Sequence, residues 1–229
     1  MTLVTTRTPV TDIIATKEDV QAFADSCVLL RSQWAHFTTL FEGSDLKREM
    51  RETTAKTFFG DLNRLFIEHL VLHICRLTDE AQTMGRKNLT AKFLIEHSDW
   101  SNAADTLVKL KLISDSIHNF RKRILPARKW FVAHHDLSAV RRGQNLGAAS
   151  DAEWKQFWLD LEGFLDLMSR HHVHPNLHFC WNEIDGMSDA DSLLAALRNA
   201  KLFEAVISDQ EIGARALRAA HTSRFAGDL

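Results

Sequence analysis

The sequence predicts an all-α protein, a bundle of four long helices with short additional helices. Three features of the 229 residues point there. Apolar residues recur at spacings of three and four along four long stretches, glycine and proline number only nine and three, and no segment stands out with the two-residue alternation of a strand.

Each helix has its own signals. Thr16 or Lys17 opens the first, with acids in its first turn, and Val20, Phe23, Ala24, Cys27, Leu30, Trp34, Phe37 and Phe41 form its apolar stripe until Gly43 and Ser44 stop it. A second helix is expected from Asp45 to Thr78, with Phe58, Phe59, Leu62, Leu65, Phe66, His69, Leu70, Leu72, His73 and Cys75 on a broad apolar face. Gly60 inside it is expected to mark a bend. Residues 79–89 read as a connection turning at Gly85, and Thr90 as the cap of a short helix ending at His97. Residues 100–123 predict a third long helix on Leu107, Leu110, Leu112, Ile113, Ile117 and Phe120.

Proline is tolerated in a first helical turn and not in an interior, so Leu125 or Pro126 is expected to start a new helix. After a polar loop at 141–150, Asp151 is expected to cap a fourth long helix, with Trp154, Phe157, Trp158, Leu161, Phe164, Leu165 and Met168 inward and Pro175 past its end. A Ser188-x-x-Asp191 capping pattern then precedes Leu193, Leu194, Leu197 and Leu202 on one more helix. The expected organisation is an extension over 1–16, a helical domain over 17–175 and a helical appendage over 176–229.

Composition narrows the functional classes. With 45% apolar and 25% charged residues the chain has the balance of a globular protein. A net charge of −2 argues against a surface committed to duplex nucleic acid, while leaving room for a local basic patch. Cys27, Cys75 and Cys180 are odd in number and lack metal-type spacing, which fits a reducing cytoplasm. No signal peptide or membrane-length apolar run is read, and no Gly-rich phosphate loop, nucleophile elbow or paired-cysteine motif is present.

Reactive side chains crowd into Leu125–Asp136, LPARKWFVAHHD. On one ideal helix Arg128 and His135 share a face about 10 Å apart along the axis, whereas His134 lies about a third of a turn away. The chemistry available is a guanidinium for phosphate and an imidazole that titrates near neutrality.

This string resembles the R-x4–6-H signature of the HEPN superfamily, and within it the R-N-K-x-x-A-H-x-D form of the AbiU-type abortive-infection proteins. Arg128, Ala133, His134 and Asp136 match, while Lys129 stands where the pattern has asparagine and Trp130 where it has lysine. A second block, Arg76-Leu77-Thr78-Asp79 followed by Arg86-Lys87-Asn88-Leu89-Thr90, resembles the family's segment before the motif, and together the two cover roughly residues 17–175.

The resemblance implies a metal- and cofactor-independent endoribonuclease of bacterial defence or of a toxin–antitoxin system, with paired motifs from two protomers lining one cleft. By it His134 is the general acid or base and Arg128 the phosphate clamp, supported by Lys129, His135 and Asp136. RNA, a second copy of the chain and an antitoxin are the implied partners. A catalytically silent HEPN-fold module that binds RNA or protein is the alternative reading.

Other clusters take plainer readings. Arg121, Lys122, Arg123, Arg141 and Arg142 surround the motif and suit an RNA phosphate track, with Trp130 placed to stack a base. His171, His172, His174, His178 and Cys180 fit no standard metal site, so no metal is expected there, and the first two suit a helix C-terminus. His69 and His73 are expected to be hydrogen-bonded core residues. Arg76 and Asp79 are expected to form a surface ion pair.

Overall fold

A computed structural model of the chain describes residues 14–132, 149–181 and 189–209, with 129–132 and 205–209 as backbone only. The protein is all-α: α1 Lys17–Phe41, α2 Asp45–Leu77, α3 Ala91–His97, α4 Ala104–Val132, α5 Asp151–His172 and α6 Ala190–Asp209, with a small ribbon of β1 Gln82–Thr83 and β2 Arg86–Lys87 before α3. No helix among the described residues is long and apolar enough to cross a membrane. The chain divides into two compact units, residues 1–33 with 67–186 and residues 34–66 with 187–229.

In the first unit the predicted apolar stripes become the core. Val20, Phe23, Cys27 and Leu30 of α1 are buried, as are Leu70 and Cys75 of α2, and Phe157, Leu161, Phe164, Leu165 and Met168 of α5; Ile74 of α2 and Leu94 of α3, outside the predicted stripes, join them. α4 packs along α5, with Phe120 stacked on Phe157 at a ring separation of 4.5 Å. Arg31 places its guanidinium 4.9 Å from the Trp158 ring centre, so a cation at the rim shields an indole that is otherwise core.

In the second unit Leu40, Met50, Ala190 and Leu194 form a smaller core, flanked by Phe41, Leu62, Phe66 and Leu197. Two of the last carbonyls of α1 take side-chain donors. Lys47 Nζ donates to the Thr39 carbonyl at 3.0 Å, and the Arg51 guanidinium donates to Leu40.

Capping follows the sequence closely, with one displacement. Thr16 Oγ1 accepts from the Asp19 amide and Asp19 returns the bond to Thr16 N, closing the start of α1. Thr90 Oγ1 accepts from Phe93 N at 3.1 Å, as expected. The cap of α5 is Ser150 and not Asp151: its hydroxyl accepts from Glu153 N while the Glu153 carboxylate accepts from Ser150 N. The reciprocal pair needs an acid three residues on, and only Ser150 has one there. On α6 the first helical bond runs from Leu193 N to the Asp189 carbonyl, while Ser188 lies outside the described residues.

Several expectations are corrected. The irregularity inside α2 falls at Ala55 (φ −156°, ψ 64°) and not at Gly60. Thr53 hydrogen-bonds back to the Glu49 carbonyl at 2.7 Å beside the break, the local competition by which threonine disturbs a helix. The 79–89 connection carries the β1–β2 ribbon, with Gln82 opposite Lys87 and Thr83 opposite Arg86. Met84 and Gly85 turn it with φ of +49° and +79°, the pair of left-handed residues that a two-residue hairpin requires. Two residues per strand are too few to show alternation. Phe58, Leu65 and Leu112 are exposed at 61%, 55% and 66%, where an inward place was expected.

Pro126 does not start a helix: α4 runs through it. The physical reason is a stripe that crosses the proline, with Ile117, Phe120, Ile124 and Ala127 all buried at spacings of three and four. Packing of this stripe outweighs the missing N–H and the crowded Lys122 carbonyl. Pro126 itself is exposed. Its replacement by alanine is therefore expected to stabilise the protein by on the order of 2 kcal/mol, read as a higher urea midpoint. A lower midpoint would show that the ring contributes packing.

Candidate functional site

Arg128 sits in the last two turns of α4, seven residues after Arg121 and therefore on nearly the same face. Opposite them is Asp79, two residues beyond the end of α2. Its Oδ1 accepts from Arg121 Nη2, and its Oδ2 lies 3.5 Å from Arg128 Nη1. One carboxylate thus faces two guanidiniums. The three side chains are 12% (Arg121), 25% (Asp79) and 32% (Arg128) exposed, so Arg128 is the most open of them.

The segment that carries Asp79 is anchored on both sides. Thr78 donates its hydroxyl to the Ile74 carbonyl at 2.7 Å, and Glu80 pairs with Lys92 of α3. Cys75, one turn back on α2, lies close enough for its thiol to respond to the cluster. Burial pushes the thiol up, Arg128 and Arg121 draw it down and Asp79 opposes them.

Asp79 was not among the predicted site residues, and the expected Arg76–Asp79 pair does not form because Asp79 turns to α4. The signal available was the charge of the Arg76–Asp79 block. What it lacked was any means of choosing between a neighbour three residues away and two arginines more than forty residues on.

The predicted basic track fans out. Arg121 points to Asp79, Lys122 Nζ donates to Asn119 Oδ1 at 3.3 Å in the open, and Arg123 Nε lies 3.2 Å from Glu153 Oε1 in the first turn of α5. Successive residues on a helix point about 100° apart, so only Arg121 of the three joins Arg128. Lys129 and Trp130 lie in α4 as backbone, while His134, His135, Asp136, Arg141 and Arg142 lie outside the described residues.

A cavity of about 380 Å³ is lined by Thr78 and Glu80, the chain neighbours of Asp79, and by Ile95, Lys111, Ser114 and His118 among others, with neither arginine in its wall. Ile95 and Ile117 supply apolar wall and the charged groups the rim. His118 is one turn from Arg121. Burial, then the charges of Lys122 and Arg121, hold its ring below the ordinary histidine range.

The remaining histidines separate. His171 stacks on Trp100 at 4.3 Å with its Nε2 2.9 Å from the Asp99 carbonyl, and His172 Nε2 lies 2.8 Å from Ser98 Oγ. His174 accepts from the Asn176 amide, and His178 Nδ1 lies 3.3 Å from Asp166 Oδ1. Among the described residues no three or more such side chains converge as metal ligands. His69 is exposed and meets Gln33 Oε1 at 2.9 Å, and His73 is half-buried with no hydrogen-bond partner at Nδ1. Neither is the hydrogen-bonded core histidine the sequence suggested.

Burial is the leading cause that lowers the pKa of His73 and His172, as of His118. The unfolded chain, with histidines near 6.5, then takes up protons before the folded one does. The stability these rings allow is complete above about pH 6.5 and lost as the pH falls through their folded values. Urea midpoints should therefore decline between pH 7.5 and 5.5, and a flat profile would remove this account.

No curated protein and no solved structure matches the chain. A family profile does match, that of the AbiU2 HEPN domain, over residues 14–193, which takes in all of α1 to α5, the ribbon, Asp79 and the Arg128 string. By that match the chain belongs to the AbiU2 family of abortive-infection HEPN domains.

Proposed function

We propose that the protein is a metal-independent endoribonuclease of a bacterial defence or toxin–antitoxin system, acting in the cytoplasm at a site formed across a homodimer. The observation that carries this reading is Arg128. It is a part-exposed guanidinium held against Asp79 near the end of α4, at the head of the string that continues to His134 in a chain of the AbiU2 family.

The chemistry needs few parts. An imidazole takes the proton of a ribose 2′-hydroxyl, and that oxygen attacks the adjacent phosphorus. The bond to the 5′-oxygen breaks, and this oxygen receives a proton from an acid, leaving a 2′,3′-cyclic phosphate and a 5′-hydroxyl end. His134 is the general acid or base. The Arg128 guanidinium stabilises the charge that gathers on the phosphoryl oxygens. Lys129 adds a second cation, Asp136 orients an imidazole or a backbone amide, and His135 stands ready as the alternative imidazole. Arg121 is taken up by Asp79, so Lys122, Arg123, Arg141 and Arg142 are left to hold flanking phosphates, and Trp130 stacks a base. Because the nucleophile is the 2′-hydroxyl, the substrate is RNA and not DNA. An antitoxin is the partner that would keep such an activity in check.

The test is cleavage of a mixed RNA pool by purified protein in excess chelator. Products ending in 2′,3′-cyclic phosphate, lost in both Arg128→Ala and His134→Ala, are the expected result. A folded dimer that cleaves nothing would favour the second reading, a silent RNA- or protein-binding module. The departure at Lys129, where the family pattern has asparagine, is the specific observation on that side.

A further inference from the structure

We infer that Asp79 is the positioning residue of the proposed site, a carboxylate that anchors on Arg121 through one oxygen and sets the direction of the Arg128 guanidinium with the other. The inference rests on the ribonuclease reading of Arg128. Its structural basis is the arrangement of the ion pairs.

An arginine near a helix end has four rotatable side-chain bonds and, left alone, samples many rotamers. Two features show that Asp79 does more than neutralise charge. First, its oxygens are divided: Oδ1 goes to Arg121, the most enclosed member, and Oδ2 faces Arg128. Second, the 3.5 Å separation from Arg128 Nη1 is longer than a charge-assisted hydrogen bond of about 2.8 Å. Arg128 is thus attracted and oriented while its N–H donors stay available to a phosphate.

Charge balance agrees. Two guanidiniums against one carboxylate leave the cluster positive, so a phosphodiester still meets a net cation. Asp79 can serve as a rigid reference because Thr78 is tied to α2 and Glu80 to α3 on either side of it.

The experiment compares the full chain with Asp79→Asn and Asp79→Glu, measuring kcat and KM separately on a labelled single-stranded RNA. Asparagine keeps the size and removes the charge. It should lower kcat tenfold or more with KM changed less than about threefold, and Asp79→Glu should recover most of the loss. Equal kcat in Asp79→Asn and wild type overturns the inference. So does a loss that appears only in KM.

A second readout does not depend on cleavage: the ¹⁵N guanidinium resonances of Arg128, assigned by their disappearance in Arg128→Lys. They should show restricted rotation in the wild type, free rotation in Asp79→Asn and restriction again in Asp79→Glu. A freely rotating Arg128 in the wild type overturns the inference even if RNA is cleaved. Restricted rotation that Asp79→Asn releases, in a protein that cleaves no RNA, leaves the anchoring standing and removes the ribonuclease reading alone. Should Asp79→Asn fail to fold, the wild-type resonances and Asp79→Glu still decide.

Discussion

Alanine in place of Arg128 is expected to lower kcat for RNA cleavage by roughly 10²- to 10³-fold, the loss seen when one preorganised donor to a developing oxyanion is removed. The size follows from the setting of the side chain. A guanidinium 32% exposed and faced by Asp79 is partly desolvated, so its field at a phosphate is screened less than that of a free surface arginine. Tenfold in rate corresponds to about 1.4 kcal/mol, which asks about 3 to 4 kcal/mol of this one group. The measurement is single-turnover cleavage with saturating protein, in which binding and chemistry separate. Arg128→Lys should restore only a small part, because a point ammonium cannot present the planar fork that a phosphate accepts. A variant that cleaves at the wild-type rate would remove Arg128 from the mechanism.

Phe164→Ala is expected to destabilise the protein by about 3 to 5 kcal/mol, the usual cost of emptying a phenylalanine site in a packed interior. Phe164 is wholly buried on α5 and meets Phe23 of α1 edge-on, with ring centres 5.7 Å apart. Truncation removes that contact and leaves a void between two helices that cannot close without moving the rest of the core. Leu159 on the same helix is 51% exposed, and its alanine variant should stay within about 0.5 kcal/mol. The two variants differ little in helix propensity, so their difference isolates packing. Urea midpoints that coincide would mean that α5 does not bury this face against α1.

The arginine of the candidate site was legible because R-x4–6-H is a local string, and its six-residue step to His134 needs no knowledge of the fold. Its surroundings were not. The partner of Arg128 is a carboxylate forty-nine positions upstream, brought across by the α2–α3 connection. Read as a sequence, Asp79 looked like half of a pair with Arg76. The same limit explains Lys122 and Arg123, which share a basic run with Arg121 but project at other angles.

What the sequence determined by itself is the content of local rules. The all-α class, the ends of α1 and α2, the Thr90 cap of α3 and the inward register of α5 all follow from periodicity and from hydrogen-bonding groups within a turn of each other. Only the tertiary structure decided the rest. It carried α4 through Pro126, because the burial of Ile124 and Ala127 on a continuous stripe outweighs one lost backbone bond. It left Phe58, Leu65 and Leu112 in the open, since periodicity names an apolar face but not whether anything covers it. And it gave Asp79 to Arg121 and Arg128, because the stronger attraction is to the charges that folding brings closest, and distance along the chain does not report distance in space.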